Sequence, residues 1–436
     1  MILYSTHITP RLQYIVDFFS KELFEKPIEI ITDKEKFINS NEPKINYSDL
    51  EFNEHEFFIH NTSILFENTI RRYEIDCFEL NYHKAFFQTN GDFSFDIFAA
   101  SFYLLSRYEE YLPHTKDEYG RYPHAAAIAY QQGFLQTPLI NIWINDFKKS
   151  LQKKFPEIIF RYHSFQFIPT YDIDIAYSYL HKGWKRNIGA LIKSLLHGKF
   201  SQIIERLKVL RGKKTDPFDS YEWLDSLHLY CRVKAMYFFL VAREQKGYDK
   251  NISPEKKALQ DLIQYHSSGY NIGVHPSWQS GDDEKILKEE IEWLNIISDK
   301  KIINSRQHYI RMNLPETYRQ LINAGIEKDF SMGYGSINGF RASVASSFFW
   351  FDLEKNEQTL LEIFPFCFMD ANSFYEQKFT AQQAMDELLH YYRAIKKING
   401  LMITIWHNQF LGTNFHFAGW KEVYEIFLKE EVYWDM

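Results

Sequence analysis

Polar side chains recur at the carboxyl ends of apolar segments that have the character of buried strands. Such residues close or follow four segments: Asp172, Asp174, His275, Arg306, His308 and His407. Aspartates two positions apart point to the same face of a strand, and their charges repel unless a cation or an arginine lies nearby. Carboxylate and imidazole ligands together suit Zn²⁺ or another divalent first-row metal with an open position for water. The pattern indicates metal-assisted hydrolysis, with a spare carboxylate as base and an imidazole as acid.

Strand-like and helix-like segments alternate from about residue 161, which is typical of a parallel sheet covered by helices. The predicted strands are FQFIPTYDID, AMYFFLVA, YNIGVH, KIINSRQH, EIFPFCFMD and LMITIWH. Helix-end residues support this interpretation, since Thr380 and Gln383 have the spacing of a capping box. A lone polar residue at a strand end is usually structural, but four strands share the pattern here. Because the carboxyl ends of parallel strands meet at one rim, we expect these side chains to lie together.

Residues 1–160 carry no comparable polar group and are predicted to form a smaller α+β domain. Short runs such as EFFIH and SILFE predict strands, and DIFAASFYLLSRYEEY and PLINIWINDFKKSLQKKF predict helices. Arg107, Glu109 and Glu110 could contact a ligand, but a solvated or salt-bridged helix face is the simpler interpretation. The length of 436 residues suits two or three domains, and 45% hydrophobic with 25% charged residues excludes a disordered chain.

Charge and cysteine content exclude several classes of protein. The net charge of −7 excludes a generally basic nucleic-acid binder. The three cysteines, Cys77, Cys231 and Cys367, form no CxxC pair, which argues against a disulfide framework or a thiolate zinc site. The N-terminus has no signal-peptide pattern and no run of 18 apolar residues occurs, so we expect a soluble, cytoplasmic protein.

Four motifs on alternating strands resemble those of a known enzyme family. TYDID, GVHPSW, SRQHY and TIWHN, in this order, resemble the motifs of polysaccharide deacetylases of the nodulation-protein type (carbohydrate esterase family four). The resemblance covers roughly residues 161–436 and implies an irregular (β/α) barrel of about seven parallel strands (NodB-like). It implies a hydrolase that removes N- or O-linked acetyl groups from a bacterial glycan or glycan precursor. Residues 1–160 resemble an accessory domain that precedes such catalytic domains in some bacterial proteins.

The resemblance also implies roles for the strand-end residues. Asp172 resembles the general base and Asp174 the metal-binding aspartate, although Ile173 separates two acids that the family has side by side, so their roles could be exchanged. His275 resembles the first metal-binding histidine, and the implied ion is divalent, with Zn²⁺ expected and Co, Ni, Fe or Mn as alternatives. His407 resembles the general acid that protonates the leaving amine.

One expected metal ligand is missing from the motif. Gln279 stands at the spacing of the family's second histidine, so we expect His308 as the third ligand, with Gln279, Ser280 or a water as alternatives.

Further residues complete the implied site. Arg306 resembles the arginine that holds the base carboxylate by a bidentate contact, and Asp329 the acid that orients His407. A backbone N–H near Tyr309 is expected to stabilise the oxyanion. Aromatic residues predicted to stack on a sugar at the rim are Tyr171, Trp278, Tyr309, Tyr334, Trp350 and Trp406.

A basic insertion at about residues 181–214 interrupts the predicted sheet after its first strand. It contains ten Lys or Arg against one acid, Glu205, and its apolar residues follow helical spacing on either side of Gly198. The pattern predicts two amphipathic helices near the rim. They could form a lid on anionic phospholipid or a lipid-linked glycan, or a hairpin packed on the acidic remainder of the molecule.

The sequence leaves three functions open. The first is a metal-dependent carbohydrate deacetylase acting on an acetylated sugar or polysaccharide. The second is a non-catalytic glycan-binding or scaffold protein with a degenerate deacetylase site, which the missing second histidine favours. The third is a metal-dependent hydrolase acting on a non-sugar amide.

Overall fold

The computed structural model describes residues 1–433, and its N-terminal part is built on a small parallel sheet. The elements up to residue 154 are β1 (Ile2–Tyr4), α1 (Pro10–Leu23), β2 (Glu29–Ile31), α2 (Lys34–Asn39), β3 (Lys44–Ser48), β4 (Phe57–His60), β5 (Phe78–Leu80), β6 (His83–Ala85), α3 (Ile97–Leu105), α4 (Ile128–Gln131) and α5 (Leu139–Lys154). The four-stranded sheet has the order β2-β1-β3-β4, and all its pairs are parallel. Parallel pairing makes this part α/β rather than the expected α+β, and the run SILF forms a 3₁₀ turn rather than a strand.

The remainder of the described chain is built on a nine-stranded sheet. Its elements are β7 (Gln166–Ile173), α6 (Trp184–Leu196), α7 (Phe200–Leu210), α8 (Tyr221–Cys231), β8 (Met236–Phe239), α9 (Lys257–Gly269), β9 (Asn271–Val274), α10 (Glu284–Ser298), β10 (Asn304–Ser305), α11 (Glu316–Asn323), β11 (Lys328–Asp329), β12 (Phe348–Asp352), β13 (Glu357–Ile363), β14 (Phe368–Met369), α12 (Ala381–Lys397), β15 (Leu401–His407) and α13 (Trp420–Ile426). The strand order is β12-β13-β11-β10-β9-β8-β7-β15-β14. Every neighbouring pair is parallel except β12 and β13.

Strand register aligns the residues on which the site depends. Asp172 on β7 lies opposite His407 on β15, because the two strands pair in parallel from Gln166 and Leu401 onward. The carboxyl ends of β9 and β10 are level as well, since Val274 pairs with Ser305. The expected parallel sheet is therefore present, and its strand ends form one edge.

The sheet curls around an apolar cluster. Met236 and Phe238 of β8 share this cluster with Phe330 beyond β11 and with Met369 of β14. The rings of Phe238 and Phe330 lie 5.3 Å apart between centroids, although two strands separate β8 from β11. Side chains from distant strands can meet in this way only if the sheet bends toward them.

A buried ionic network joins the N-terminal part to the larger sheet. Glu110 accepts hydrogen bonds from Arg341 at 2.6 Å and from Arg107 at 2.8 Å, and all three side chains are buried. Although burial opposes ionisation, the two guanidinium groups lower the pKa of Glu110 to about 2. These residues therefore form a structural link between the two parts. The expected salt bridges are present, but the face is buried rather than solvated.

Candidate functional site

Three side chains of the types that bind metals meet at the carboxyl edge of the larger sheet, and they are called the Asp–His–His group below. Asp174 follows β7, His275 follows β9, and His308 lies three residues beyond β10. Their ligand atoms all lie within 4.8 Å of one another, so the group could hold a metal ion. Asp174 Oδ1 lies 3.0 Å from His275 Nε2 and 3.7 Å from His308 Nε2. The histidines are buried and the Asp174 side chain is one-fifth exposed, which leaves one side of the group open to water or substrate.

Hydrogen bonds at the far nitrogens orient both imidazoles. His275 Nδ1 lies 2.5 Å from the carbonyl oxygen of Arg306 and can only donate to it. His308 Nδ1 lies 3.0 Å from Asp249 Oδ1, a fully buried carboxylate. Donation at Nδ1 leaves the Nε2 lone pair of each ring pointing toward Asp174 when the imidazole is neutral. This is the arrangement in which proteins present histidine to a metal.

The Asp174 carboxylate gives a second test of whether the group suits a metal ion. Oδ1 of Asp174 is buried and has no aligned hydrogen-bond donor within residues 1–433. Burial disfavours the charged form, but His308 and His275 hold the pKa of this carboxyl well below its usual range. Burial lowers the pKa of His308, but Asp174 and Asp249 raise it to about 9. A divalent cation would displace the Nε2 proton of His308 and fit between the ionised carboxylate and the two imidazole lone pairs.

Asp172 lies behind this group and is held by an arginine. Its Oδ1 accepts from Arg306 Nη1 at 3.3 Å, and its Oδ2 lies 3.9 Å from His275 Nε2. Arg306 also donates to Thr170 Oγ1 at 2.6 Å and to the carbonyl of Phe330 at 3.0 Å. Its Nη2 has no partner among the described residues, so the expected bidentate contact with Asp172 is absent and a single contact replaces it.

His407 faces the Asp–His–His group and is paired with an acid that the sequence did not indicate. His407 Nδ1 lies 2.6 Å from Asp370 Oδ1, and its Nε2 lies 3.5 Å from Asp174 Oδ2. Although burial disfavours the imidazolium, Asp370 and Asp174 raise the pKa of His407 to about 10. Nε2 therefore carries a proton at neutral pH, on the side of the ring that faces Asp174.

Asp329 does not orient His407, so that expectation is wrong. Asp329 accepts from the hydroxyls of Ser305 at 2.7 Å and Ser331 at 2.9 Å, which ties β10 to the turn after β11. Burial raises its pKa, and its contacts are structural.

An aromatic cluster lies beside His308. Trp278 and Tyr309, both expected there, are joined by Tyr248 and Tyr119, which the sequence did not indicate. Ring centroids are 4.2 Å apart for Tyr248 and Trp278, and 5.5 Å apart for Tyr119 and Tyr309. Tyr248 and Tyr309 keep 40% and 36% of their surface exposed, so the cluster presents ring surface to solvent.

The N-terminal part contributes directly to this cluster. Tyr119 belongs to the loop between α3 and α4, and Arg121 of the same loop donates to the carbonyl of Tyr309 at 2.7 Å. Tyr309 has a φ of 59°, a left-handed conformation that is uncommon for an aromatic residue. The contact with Arg121 therefore helps to hold the loop in which His308 lies.

The other four aromatic residues expected at the rim are buried in the core. Tyr171 and Trp406 have no exposed surface, and strand alternation accounts for this because they neighbour Asp172 and His407 and so face the opposite side of the sheet. Trp350 packs on Tyr318, and Tyr334 lies under Arg341. The expectation of sugar contact is wrong for all four.

Besides Tyr119 and Tyr248, sequence reasoning missed two acidic site residues, Asp249 and Asp370. Asp370 directly follows β14, so the strand-end pattern that identified the other residues could have identified it. Asp249 lies in the loop between β8 and α9, where no periodicity marks it; it also accepts from the backbone N–H of Trp278 at 3.0 Å. Ser280 donates to the carbonyl of Ser277, and the Asp–His–His group forms without Ser280 or Gln279.

Comparisons with known proteins give distant similarities. Residues 1–156 match the model of a family described as a family of unknown function (DUF7033). No curated protein matches the chain. A putative polysaccharide deacetylase from Mycobacterium smegmatis is 14% identical with a TM-score of 0.39, over 63% of this chain and 86% of that one. The polysaccharide deacetylase Bc1974 from Bacillus cereus is 11% identical with a TM-score of 0.31, over 62% of this chain and 88% of that one.

Proposed function

We propose that the chain is a metal-dependent hydrolase that removes acetyl groups from a glycan or glycan precursor. The observation that carries this proposal is the convergence of three functions on one strand-end site. Asp174, His275 and His308 offer ligands for a cation, Asp172 offers a base, and the His407 imidazolium offers an acid. A binding protein would have no need for a charged histidine directed at a metal-binding carboxylate.

The residues divide the chemistry between them. A divalent cation bound to the Asp–His–His group would polarise the acetyl carbonyl and lower the pKa of a bound water. Asp172, held by Arg306, takes one proton from the water as its oxygen attacks the acetyl carbon. The backbone N–H of Tyr309 is our candidate donor to the oxyanion. His407 Nε2 then donates a proton to the sugar nitrogen or oxygen as the acetyl C–N or C–O bond breaks, which yields acetate and the free sugar amine or hydroxyl.

The aromatic cluster supports a sugar substrate. Tyr119, Tyr248, Trp278 and Tyr309 place half-exposed rings beside the metal-binding group, and sugar rings stack on such surfaces through their apolar C–H faces. We infer that the curled parallel sheet is an irregular barrel of the deacetylase type, with β12 as an antiparallel addition at its edge.

Acetate release tests this function. The protein is stripped with a chelator, reloaded with Zn²⁺, Co²⁺ or Mn²⁺, and given N-acetylated chito-oligosaccharides, O-acetylated xylan or N-acetylated amino acids. We expect metal-dependent acetate release from one of the sugars, and a loss of about 100-fold or more in His407→Ala with unchanged metal content. Release from the amino-acid amides alone would favour the non-sugar hydrolase. Sugar binding without any acetate release would favour the binding protein.

A further inference from the structure

The helical pair formed by α6 and α7, called the basic hairpin below, faces solvent with its apolar side. In α6 the side chains turned toward the protein are polar, with Asn187 and Ser194 buried. The exposed side chains of α6 include a large apolar stripe at helical spacing: Trp184 70%, Ile188 47%, Ile192 54%, Leu195 57% and Leu196 79%. Phe200 and Ile204 of α7 extend the exposed apolar surface at 61% and 54%. A helix that packs on its own protein turns its apolar side inward, so α6 has the reverse orientation.

Polar contacts fix the hairpin in this orientation. Asn187 donates to the carbonyl of Tyr179 at 3.1 Å and accepts from Arg206 at 2.9 Å. Glu205 is the one acid of the insertion, and it is occupied by the Tyr179 hydroxyl and the Lys214 ammonium. These hydrogen bonds, together with the buried Val209 of α7, hold the hairpin to the protein, and the exposed apolar stripe has no part in this.

Unpaired cations surround the apolar stripe. Seven exposed basic residues of the insertion form no ion pair within residues 1–433: Lys185, Arg186, Lys193, Lys199, Lys208, Arg211 and Lys213. The insertion carries ten Lys or Arg and Glu205, a net charge of +9, whereas the rest of the chain carries −16 to give the total of −7. The expected packing of its polar face on the protein is present for Asn187, but these cations remain in solvent.

We propose that the basic hairpin docks the protein on an anionic lipid bilayer. Large apolar side chains next to lysines and arginines match the boundary between acyl chains and negatively charged headgroups. A second copy of the chain fits this face less well, because a symmetric contact would bring two groups of +9 together. Within the described chain no helix is long and apolar enough to cross a membrane, so the docking is interfacial.

Contacts connect the docked hairpin to the rim of the candidate site. Arg186 of α6 donates to the carbonyl oxygens of Lys250 and Asn251, next to the Asp249 that holds His308. Asn251 in turn donates to the carbonyl of Ile173 at 3.2 Å, at the end of the strand that carries Asp172. A bilayer in contact with the hairpin would therefore lie near the opening of the site, where a glycan attached to a lipid would meet it.

Vesicle binding by the full chain tests this proposal. The protein is sedimented with phosphatidylcholine vesicles that contain about 30% phosphatidylglycerol, and with vesicles of phosphatidylcholine alone. We expect binding to the anionic vesicles that weakens at least about tenfold when salt is raised to about 0.5 M. Ile192→Asp/Leu196→Asp removes apolar contact and should lower binding at least about tenfold. Ile159→Asp/Leu360→Asp changes two exposed apolar residues outside the hairpin, each 87% exposed, and should bind like the original.

Other results would overturn the proposal. Absence of binding to anionic vesicles by the original protein would do so, as would equal losses in both double variants. A concentration-dependent dimer that Ile192→Asp/Leu196→Asp abolishes, without vesicle binding, would assign the stripe to a second copy. Because the substituted residues are exposed, thermal unfolding should be unchanged. Acetate release from a soluble substrate should also persist, so failure of vesicle binding is distinguishable from failure of the proposed hydrolase.

Discussion

Replacement of Asp370 by Asn tests the proposed role of His407 as the proton donor. The Asp370 carboxylate lies 2.6 Å from His407 Nδ1, and both side chains are buried. Burial lowers the pKa of His407, but Asp370 and Asp174 raise it from 6.5 to about 10. That net difference corresponds to about 5 kcal/mol in favour of the imidazolium, after the opposing effect of burial. An amide keeps the shape of the side chain and removes one of the two charges.

The sign of the pH effect follows from the role of His407. A general acid works only while protonated, so activity is present below its pKa and is lost as pH rises through it. In the metal-loaded original protein this alkaline loss marks the pKa of His407, which a cation beside Asp174 lowers from its metal-free value of about 10. In Asp370→Asn it should begin at lower pH, and hydrolysis of an N-acetylated sugar at pH 8 should fall by about 100-fold or more.

The choice of substrate sharpens this test. An amine must be protonated to leave, whereas 4-nitrophenolate leaves without a proton, so Asp370→Asn should slow 4-nitrophenyl acetate hydrolysis far less than sugar deacetylation. The matched control is Asp329→Asn, a buried aspartate of β11 that does not contact His407, which should leave the alkaline limb in place. Equal losses on the two substrates, or an alkaline limb that does not move in Asp370→Asn, would refute the assignment of His407 as acid.

Two further predictions concern substrate binding and stability. Tyr119→Ala should raise KM for an acetylated oligosaccharide about 3- to 10-fold and keep kcat within about twofold, because one ring of the aromatic cluster is lost. The control Tyr82→Ala, at a side chain that is 99% exposed, should change neither KM nor kcat. An unchanged KM in Tyr119→Ala would show that Tyr119 does not contact the substrate. Burial raises the pKa of Glu290 from 4.5 to about 7, so the folded protein holds a proton there that the unfolded chain releases. Stability from this group is full below pH 4.5 and is lost as pH rises through 7, by at most about 3 kcal/mol. The melting temperature of Glu290→Gln should therefore rise relative to that of the original protein between pH 5 and pH 8. A difference in melting temperature that does not depend on pH would contradict this.

The strand-end residues could be predicted because parallel strands impose a simple rule. Asp172, His275, Arg306 and His407 each end or follow an apolar segment, and the parallel sheet brings such ends together. His308 was predicted as the third ligand because it lies two residues after Arg306, and the structure places it with Asp174 and His275 in a group that could hold a metal ion. Asp249 could not be predicted, since it lies in a loop whose path depends on tertiary contacts.

The residues and strands that were misplaced or missed have physical explanations. Tyr171 and Trp406 neighbour site residues along the chain, but alternation along a strand turns them to the opposite face. The antiparallel hairpin of β12 and β13 was missed because FFWFD and EQTLLEI lie outside the regular alternation of strand and helix. Tyr119 reaches the site only through packing between the N-terminal part and the larger sheet, which no local pattern records.

Metal titration tests the central claim, that Asp174, His275 and His308 hold a divalent cation on which the hydrolysis depends. Chelator-treated protein is titrated with Zn²⁺ by calorimetry, alongside His308→Ala and the matched variant Gln279→Ala, which removes the residue at the position where the resemblance places a second histidine. We expect one ion per chain for the original protein and for Gln279→Ala, with a loss of at least about 100-fold in affinity for His308→Ala. Full binding by His308→Ala together with lost binding by Gln279→Ala would contradict the account.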